Sequence, residues 1–150
     1  MKKLNYFLLL IPFLFFSCSK DSGTTSTPTP SYSIQGLWKT TSAVLNGVEK
    51  FGGTNTVKSE LNYFNADGSF STQSYSDTNF STLAGYSTGT YTLPSSTTVN
   101  INANAYSPSN TLLANYNVTS QITLISSTEL QLKTLNYPAA NDVYIKKFIR

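Results

Sequence analysis

The sequence predicts an all-β protein, an eight-stranded antiparallel up-and-down barrel. From residue 34 onward no ten-residue window carries an amphipathic helical pattern, and the composition is rich in Thr, Tyr, Val and Ile. Short alternating runs are separated by turn-forming residues, which indicates consecutive hairpins. An open meander of eight strands would expose two long edges, and closure into a barrel removes them. A β-sandwich is the alternative, favoured if residues 77–87 form a crossover instead of a loop.

The predicted strands cover residues 37–45, 59–64, 69–76, 88–93, 97–105, 117–125, 129–134 and 143–149. The turn at 65–68 is the clearest local signal, because Gly68 can adopt the positive φ that closes a four-residue hairpin loop. Strand 97–105 alternates Val, Ile and Ala with asparagine, so one of its faces is apolar and the other carries amides. In strand 117–125, Val118, Ile122 and Leu124 share one phase.

The amino terminus has the order of a secretory signal. Lys2 and Lys3 precede an apolar run over residues 6–16, and the run is followed by Cys18, the only cysteine of the chain. At 1.5 Å per residue a helical run would cover only about 16 Å, too short for a hydrocarbon core of about 30 Å. The segment resembles a bacterial lipoprotein signal peptide, which implies cleavage after residue 17 and lipid on Cys18. The alternative is an ordinary secretory signal followed by a free thiol.

Residues 18–33 are expected to form a disordered, lipidated tether. The stretch from residue 19 to residue 30 holds only Ser, Lys, Asp, Gly, Thr and Pro, so it has nothing to bury. A flexible coil of this length averages roughly 20 Å end to end. The expected order is therefore a signal peptide (1–17), a tether (18–33) and one barrel domain (34–150). We expect the protein to be anchored to the outer membrane through the lipid on Cys18. The sequence leaves open whether it faces the periplasm or the cell surface.

The charge and residue inventory excludes several classes of function. The chain has a formal net charge of +3, and loss of Lys2 and Lys3 with the signal leaves about +1, too little clustered positive charge for nucleic-acid binding. There is no histidine, and the single cysteine is assigned to the lipid. The usual general base, thiolate nucleophile and nitrogen–sulfur metal ligands are therefore missing. We expect no catalytic residue, no metal and no cofactor, hence a protein that is not an enzyme.

Two motifs resemble a known family. Gly36 and Trp38 match the opening Gly-x-Trp strand of lipocalin-like domains. The segment from Phe64 to Phe70 resembles the Phe-x-x-Asp-Gly-x-Phe hairpin of small lipocalin-like lipoproteins common in Bacteroidota. Later strands continue the same order, so the resemblance extends over nearly the whole predicted domain.

The resemblance implies a role for Trp38 as the plug of the closed end of the barrel. In larger lipocalins an arginine late in the chain stacks on that tryptophan through a cation–π contact. Here Lys146, Lys147 or Arg150 would have to supply the cation. For Trp38 we therefore expect a structural role instead of contact with a ligand.

An eight-stranded barrel either is filled by side chains or holds one small ligand. We expect a small apolar or amphipathic ligand, or a glycan, that enters at the rim opposite Trp38 and meets aromatic rings there. The candidate contacts are Tyr75, Phe80, Tyr86, Tyr91, Tyr106 and Tyr116. The alternatives are a protein-interaction module, such as an inhibitor or accessory subunit, and a structural envelope lipoprotein. The oligomeric state is open, with a monomer as the expectation.

Overall fold

The structure is a computed structural model that describes residues 32–150, and its strands form one closed antiparallel barrel. Nine strands follow one another: β1 (Gly36–Leu45), β2 (Val48–Glu49), β3 (Ser59–Phe64), β4 (Ser69–Tyr75), β5 (Leu83–Ser95), β6 (Thr98–Tyr106), β7 (Leu112–Ile125), β8 (Glu129–Leu135) and β9 (Val143–Ile149). Eight of them make the barrel, and β2 is a short extra strand paired with the end of β1. The predicted fold class is confirmed. The expectations for the signal peptide, for Cys18 and for nearly all of the tether lie outside the described residues.

Pairing between the first and last strands closes the barrel. β1 pairs with β9 from Lys39 opposite Ile149 to Leu45 opposite Tyr144, and with β3 along its other edge. The sandwich alternative is wrong, because β4 pairs directly with β5 and residues 77–87 form no crossover. Within residues 32–150, no helix has the length and hydrophobicity to span a membrane.

Two strands are longer than the sequence predicted. β5 begins at Leu83 instead of residue 88, and β7 begins at Leu112 instead of residue 117. These extensions, residues 83–87 and 112–116, mix leucine and tyrosine with small and polar residues and show no clear alternation, yet their backbones pair in register, for example Tyr86 with Tyr106. The loop between β4 and β5 is therefore shorter than expected and spans residues 76–82. Backbone pairing to existing neighbours extends a strand even where its side chains carry little pattern.

A β-bulge changes which residues of β7 face inward. The register shifts between Ile122 and Leu124, so Leu124 is 45% exposed while Ile122 and Ile125 pack against the core. The expected shared phase of Val118, Ile122 and Leu124 is therefore wrong at Leu124. A bulge inserts one residue into a strand and reverses the alternation beyond it.

The 65–68 hairpin forms as predicted. Gly68 has a φ of 82°, in the left-handed region. The Asn65 N–H donates to the Ser69 carbonyl at 3.0 Å, and the Ser69 N–H donates to Asp67 Oδ1 at 2.9 Å. The loop is thus held by its own backbone and by the Asp67 carboxylate.

Apolar side chains fill one end of the barrel, which we call the Trp38 end. Trp38 is fully buried, and its indole N–H donates to the Ile34 carbonyl at 2.6 Å. The Arg150 guanidinium lies 4.4 Å from the Trp38 ring centroid and donates to the carbonyls of Ser33 and Gln35 at 2.9 and 2.8 Å. Arg150 is therefore the cation that covers the tryptophan. The core around it comprises Ile34, Trp38, Phe64, Phe70, Tyr91, Val99, Ile101, Ala103, Leu130, Leu132 and Phe148.

The opposite end carries the longer connections, residues 46–58, 76–82, 107–111 and 136–142, and we call it the loop end. The alternation predicted for β6 is confirmed, because Val99, Ile101 and Ala103 are buried inside the barrel while Asn102 is exposed. Gly89 allows β5 and β6 to approach closely at this wall, since a Cβ there would lie 2.0 Å from the Asn102 carbonyl oxygen. Space remains inside the barrel between the apolar core and the loop end.

Candidate functional site

A cavity of about 230 Å³ occupies the barrel interior between the core and the loop end. Every barrel strand except β1 contributes to its lining. The lining residues are Glu60, Asn62, Phe64, Phe70, Thr72, Ser74, Ser87, Ile101, Tyr116, Val118, Ser120, Leu132, Thr134, Tyr137, Tyr144, Lys146 and Phe148. The barrel interior is therefore not completely filled by its own side chains.

The lining is divided into an apolar floor and a polar upper part. Phe64, Phe70 and Phe148 belong to the core and form the floor, together with Ile101 and Leu132. Towards the loop end the same strands present a carboxylate, an ammonium group, an amide and several hydroxyls. This division arises because each strand keeps one phase facing inward while its residues change from apolar to polar along the barrel axis.

A buried ion pair between Glu60 and Lys146 is the main charged feature of the cavity. β1 lies between the strands that carry them, and the Thr40 hydroxyl on β1 donates to Glu60 Oε1 at 2.7 Å. The two side chains are only 11% and 19% exposed, respectively. Asn62 Nδ2 also donates to Glu60 Oε1 at 3.0 Å, and the Ser74 hydroxyl donates to Oε2 at 3.3 Å. These hydrogen bonds and the attraction between the two charges offset the cost of removing both groups from water, as a stable buried ion pair requires.

The surroundings keep both members of this pair charged. Burial pushes the pKa of Glu60 upward, but the Lys146 ammonium and the hydrogen bonds outweigh it, so the pKa lies below its ordinary value. Burial likewise pushes the pKa of Lys146 downward, and the nearby Glu60 carboxylate reverses this, so the pKa lies above its ordinary value. At neutral pH the cavity therefore contains one positive and one negative group.

Polar side chains around the ion pair form a connected network. The Thr72 hydroxyl donates to Asn62 Oδ1 at 3.2 Å, and the Asn62 amide reaches Thr40 at 3.0 Å. Across the cavity, the Ser120 and Thr134 hydroxyls are 2.6 Å apart. Within residues 32–150 every buried side-chain nitrogen or oxygen has a hydrogen-bond partner. The polar wall is thus held in a fixed arrangement without a ligand.

Three tyrosines, Tyr116, Tyr137 and Tyr144, complete the lining towards the loop end. Burial raises the pKa of Tyr116 and of Tyr144, so both hydroxyls remain protonated at neutral pH. The rings of Tyr137 and Tyr144 lie 6.2 Å apart. The cavity therefore combines aromatic surface with hydroxyls that both donate and accept hydrogen bonds.

Of the six aromatic residues that the sequence suggested as ligand contacts, the structure places only Tyr116 in the cavity lining. Tyr91 belongs to the core at the Trp38 end, where its ring is 5.2 Å from that of Phe64 and its hydroxyl donates to the Asn65 carbonyl at 2.8 Å. A ligand in the cavity would be separated from Tyr91 by that core.

The other four candidates are absent from the cavity lining and form two pairs. Tyr75 and Phe80 meet edge to face at 5.4 Å, and Lys39 lies 5.1 Å from the Phe80 ring, beside a depression of the outer wall. Tyr86 and Tyr106 stack at 5.0 Å, and the Tyr86 hydroxyl donates to Asn110. These rings could contact a molecule on the outer wall.

Sequence reasoning missed Glu60, Lys146, Tyr137 and Tyr144 as site residues. A signal for two of them was present, since Glu60 and Lys146 each share an inward strand phase with a phenylalanine that belongs to the core, Phe64 and Phe148 respectively. A charged residue in the inward phase of a barrel strand needs a partner in the interior. Opposite charges on two strands flanking β1 would have met that requirement.

Among residues 32–150, no group of three or more His, Cys, Asp or Glu residues is arranged to hold a metal ion. No family model, curated protein or solved structure matches the chain.

Proposed function

We propose that this protein is a lipid-anchored, lipocalin-like protein of the outer membrane that binds a small molecule inside its barrel without transforming it. The observation that carries the binding role is the cavity of about 230 Å³ above the apolar core, whereas the anchor and the location rest on the signal-like run before Cys18. Its polar groups are already arranged, and a preorganised site loses little free energy in ordering when it binds. Support for the lipocalin-like assignment comes from the buried Trp38 with Arg150 over its ring.

The size and lining of the cavity narrow the ligand to a small amphipathic molecule or a sugar. The volume lies just below the range of about 300–1,000 Å³ that is usual for ligand pockets. A long acyl chain would have to displace core side chains. A wholly apolar ligand would cover Glu60, Lys146 and the surrounding hydroxyls without offering them a hydrogen bond, which is costly.

Binding inside the cavity is tested with a matched pair of substitutions on neighbouring residues of β5. Ser87 lines the cavity, whereas Thr88 is exposed. Ser87→Phe should occupy the cavity and abolish binding, while Thr88→Phe should leave it unchanged. Native mass spectrometry of the full-length protein in detergent, with panels of sugars and short amphipathic compounds, measures the effect. Equal binding by both variants would refute a site inside the barrel, and absence of binding by the wild type would refute the proposed function.

The proposed anchor is tested separately at Cys18. Cys18→Ala should leave an uncut precursor or release the protein into the soluble fraction, because two or more acyl chains are needed for stable attachment. Fractionation and the mass of the amino-terminal peptide distinguish these results. Unchanged processing and membrane association would refute the lipoprotein assignment.

A protein-interaction role is the second candidate, and two exposed leucines at the start of β7, which we call the leucine patch, favour it. Leu112 and Leu113 are 52% and 65% exposed, and Leu112 pairs with Tyr106 across the strands. Contiguous exposed apolar residues often mark a contact surface. Leu113→Asp should then abolish crosslinking to a partner in membranes while leaving ligand binding intact. Crosslinking that is unchanged in this variant would refute the role of the patch.

A further inference from the structure

The charge balance of the cavity points to a neutral ligand. Glu60 and Lys146 are the only ionised side chains of the lining, and they neutralise each other at direct contact. A ligand carboxylate that approached Lys146 would also meet the Glu60 carboxylate. A ligand ammonium group that approached Glu60 would also meet the Lys146 ammonium group. Either ligand would leave the low-dielectric site with a net charge, which is unfavourable.

The hydrogen-bonding capacity that remains at the ion pair suits neighbouring hydroxyl groups. A lysine ammonium group has three N–H donors, and within residues 32–150 Glu60 is its one ion-pair partner. Among the described residues, several groups donate to Glu60 Oε1, while Oε2 accepts only the long hydrogen bond from Ser74. Donor and acceptor capacity therefore lie side by side. A hydroxyl group both donates and accepts, so two adjacent hydroxyls can use both at once.

The remainder of the lining fits a ring with apolar and polar parts. Phe70 and Phe148 offer aromatic surface on the floor, and Tyr116 and Tyr144 add aromatic surface with hydroxyls nearer the loop end. The C–H faces of a sugar ring pack on aromatic side chains, while its hydroxyls bond to the polar groups around its edge. The small volume matches one such ring better than an extended chain.

We infer that the cavity binds a neutral, polyhydroxylated ring, a monosaccharide or the terminal unit of a glycan, through two adjacent hydroxyls on Glu60 and Lys146. This inference rests on the proposed function and specifies the ligand class of the same site. Glu60 accepts from one hydroxyl and Lys146 donates to its neighbour. The ring lies over the phenylalanines of the floor.

The test compares three sugars that share one ring and differ in charge, namely glucose, glucuronate and glucosamine. Galactose, mannose and myo-inositol are further neutral probes, and octanoate is included as an amphipathic acid. Isothermal titration calorimetry on the full-length protein in detergent should show that a neutral probe binds at least about tenfold more tightly than every charged compound, because each charged compound would leave the low-dielectric site with a net charge. Tightest binding by glucuronate, glucosamine or octanoate would overturn the inference and leave the proposed function standing. If none of the compounds shows binding that Ser87→Phe abolishes, both the inference and the proposed function are overturned.

The role of the ion pair is tested by replacing both charges together, because a single replacement would leave an unpaired buried charge. The double variant Glu60→Gln, Lys146→Met should remain folded and bind the preferred neutral ring at least about tenfold more weakly. Lys147→Met is the matched control, because Lys147 is the next residue on β9 and is exposed. The inference is overturned if the folded double variant binds as tightly as the wild type, or if Lys147→Met weakens binding equally.

Discussion

Removal of Lys146 alone should destabilise the barrel strongly. In the Lys146→Met variant the Glu60 carboxylate stays inside the barrel without its cation, although Thr40, Asn62 and Ser74 still donate to it. Loss of one partner from a buried ion pair typically costs about 3–5 kcal/mol. For a domain of this size that corresponds to a decrease in Tm of roughly 10–20 °C. Removal of both charges in the Glu60→Gln, Lys146→Met variant should restore most of the lost stability.

The change of stability with pH tests the same ion pair, because its direction differs between the wild type and the Lys146→Met variant. In the wild type the pKa of Glu60 is depressed, so its contribution to stability is complete above its ordinary value of 4.5 and is lost as the pH falls through the lower folded value. The pKa of Lys146 is raised, so its contribution is complete below 10.5 and is lost as the pH rises through the higher folded value. In Lys146→Met, burial should instead raise the pKa of Glu60 above 4.5. Protonation of Glu60 then relieves the unpaired charge, and the destabilisation should shrink as the pH falls from 7 towards 4.5.

Urea unfolding at pH 7 and at pH 4.5 measures these effects, with Trp38 as the fluorescent reporter because it is the only tryptophan and is fully buried. Lys147→Met is the control, since an exposed substitution should change the free energy of unfolding by less than about 0.5 kcal/mol. A Lys146→Met variant within that margin of the wild type would show that the ion pair does not stabilise the barrel. A destabilisation that grows as the pH is lowered would show that no unpaired buried carboxylate is responsible for it.

Two further substitutions test the rest of the barrel. Gly68→Val should lower the free energy of unfolding by roughly 1–2 kcal/mol, because a β-branched residue is strained at a φ of 82°. Urea unfolding measures this change, and no measurable difference from the wild type would contradict the role given to Gly68 in the turn. Trp38→Ala should cost about 3–5 kcal/mol as a truncation of a fully buried side chain, and circular dichroism must follow its unfolding because the fluorophore is gone; a loss below about 1 kcal/mol would show that Trp38 does not stabilise this end of the barrel.

Local patterns predicted most of the fold. The 65–68 turn and the alternation along β6 are encoded by neighbouring residues, and both form as expected. The early starts of β5 and β7 and the bulge before Leu124 depend on pairing with strands that are remote in sequence. The sequence of β7 does not reveal this shift, because Val118, Ile122 and Leu124 keep one alternating spacing, whereas the bulge arises in the pairing of β7 with β8 and reverses which side faces inward beyond it.

The site was predicted less completely than the fold, for a physical reason. Tyr116 could be proposed as an aromatic residue near a loop, but the same argument selected Tyr86, whose ring stacks on Tyr106 outside the cavity lining. Glu60 shares a strand phase with the core residue Phe64, and Lys146 shares one with Phe148, but neither strand alone identifies the opposite charge as its partner. Their pairing follows from closure of the barrel, which brings β3 and β9 to the two sides of β1.

The most direct test of ligand binding inside the barrel is a crystal structure of the protein soaked with the tightest-binding compound of the panels. We expect density for that compound between the phenylalanines of the floor and the loop end, with polar atoms within hydrogen-bonding distance of Lys146 Nζ and Glu60 Oε2. Density confined to the outer wall, beside Phe80 or the stacked pair of Tyr86 and Tyr106, would contradict this account. So would a barrel in which side chains have closed the cavity.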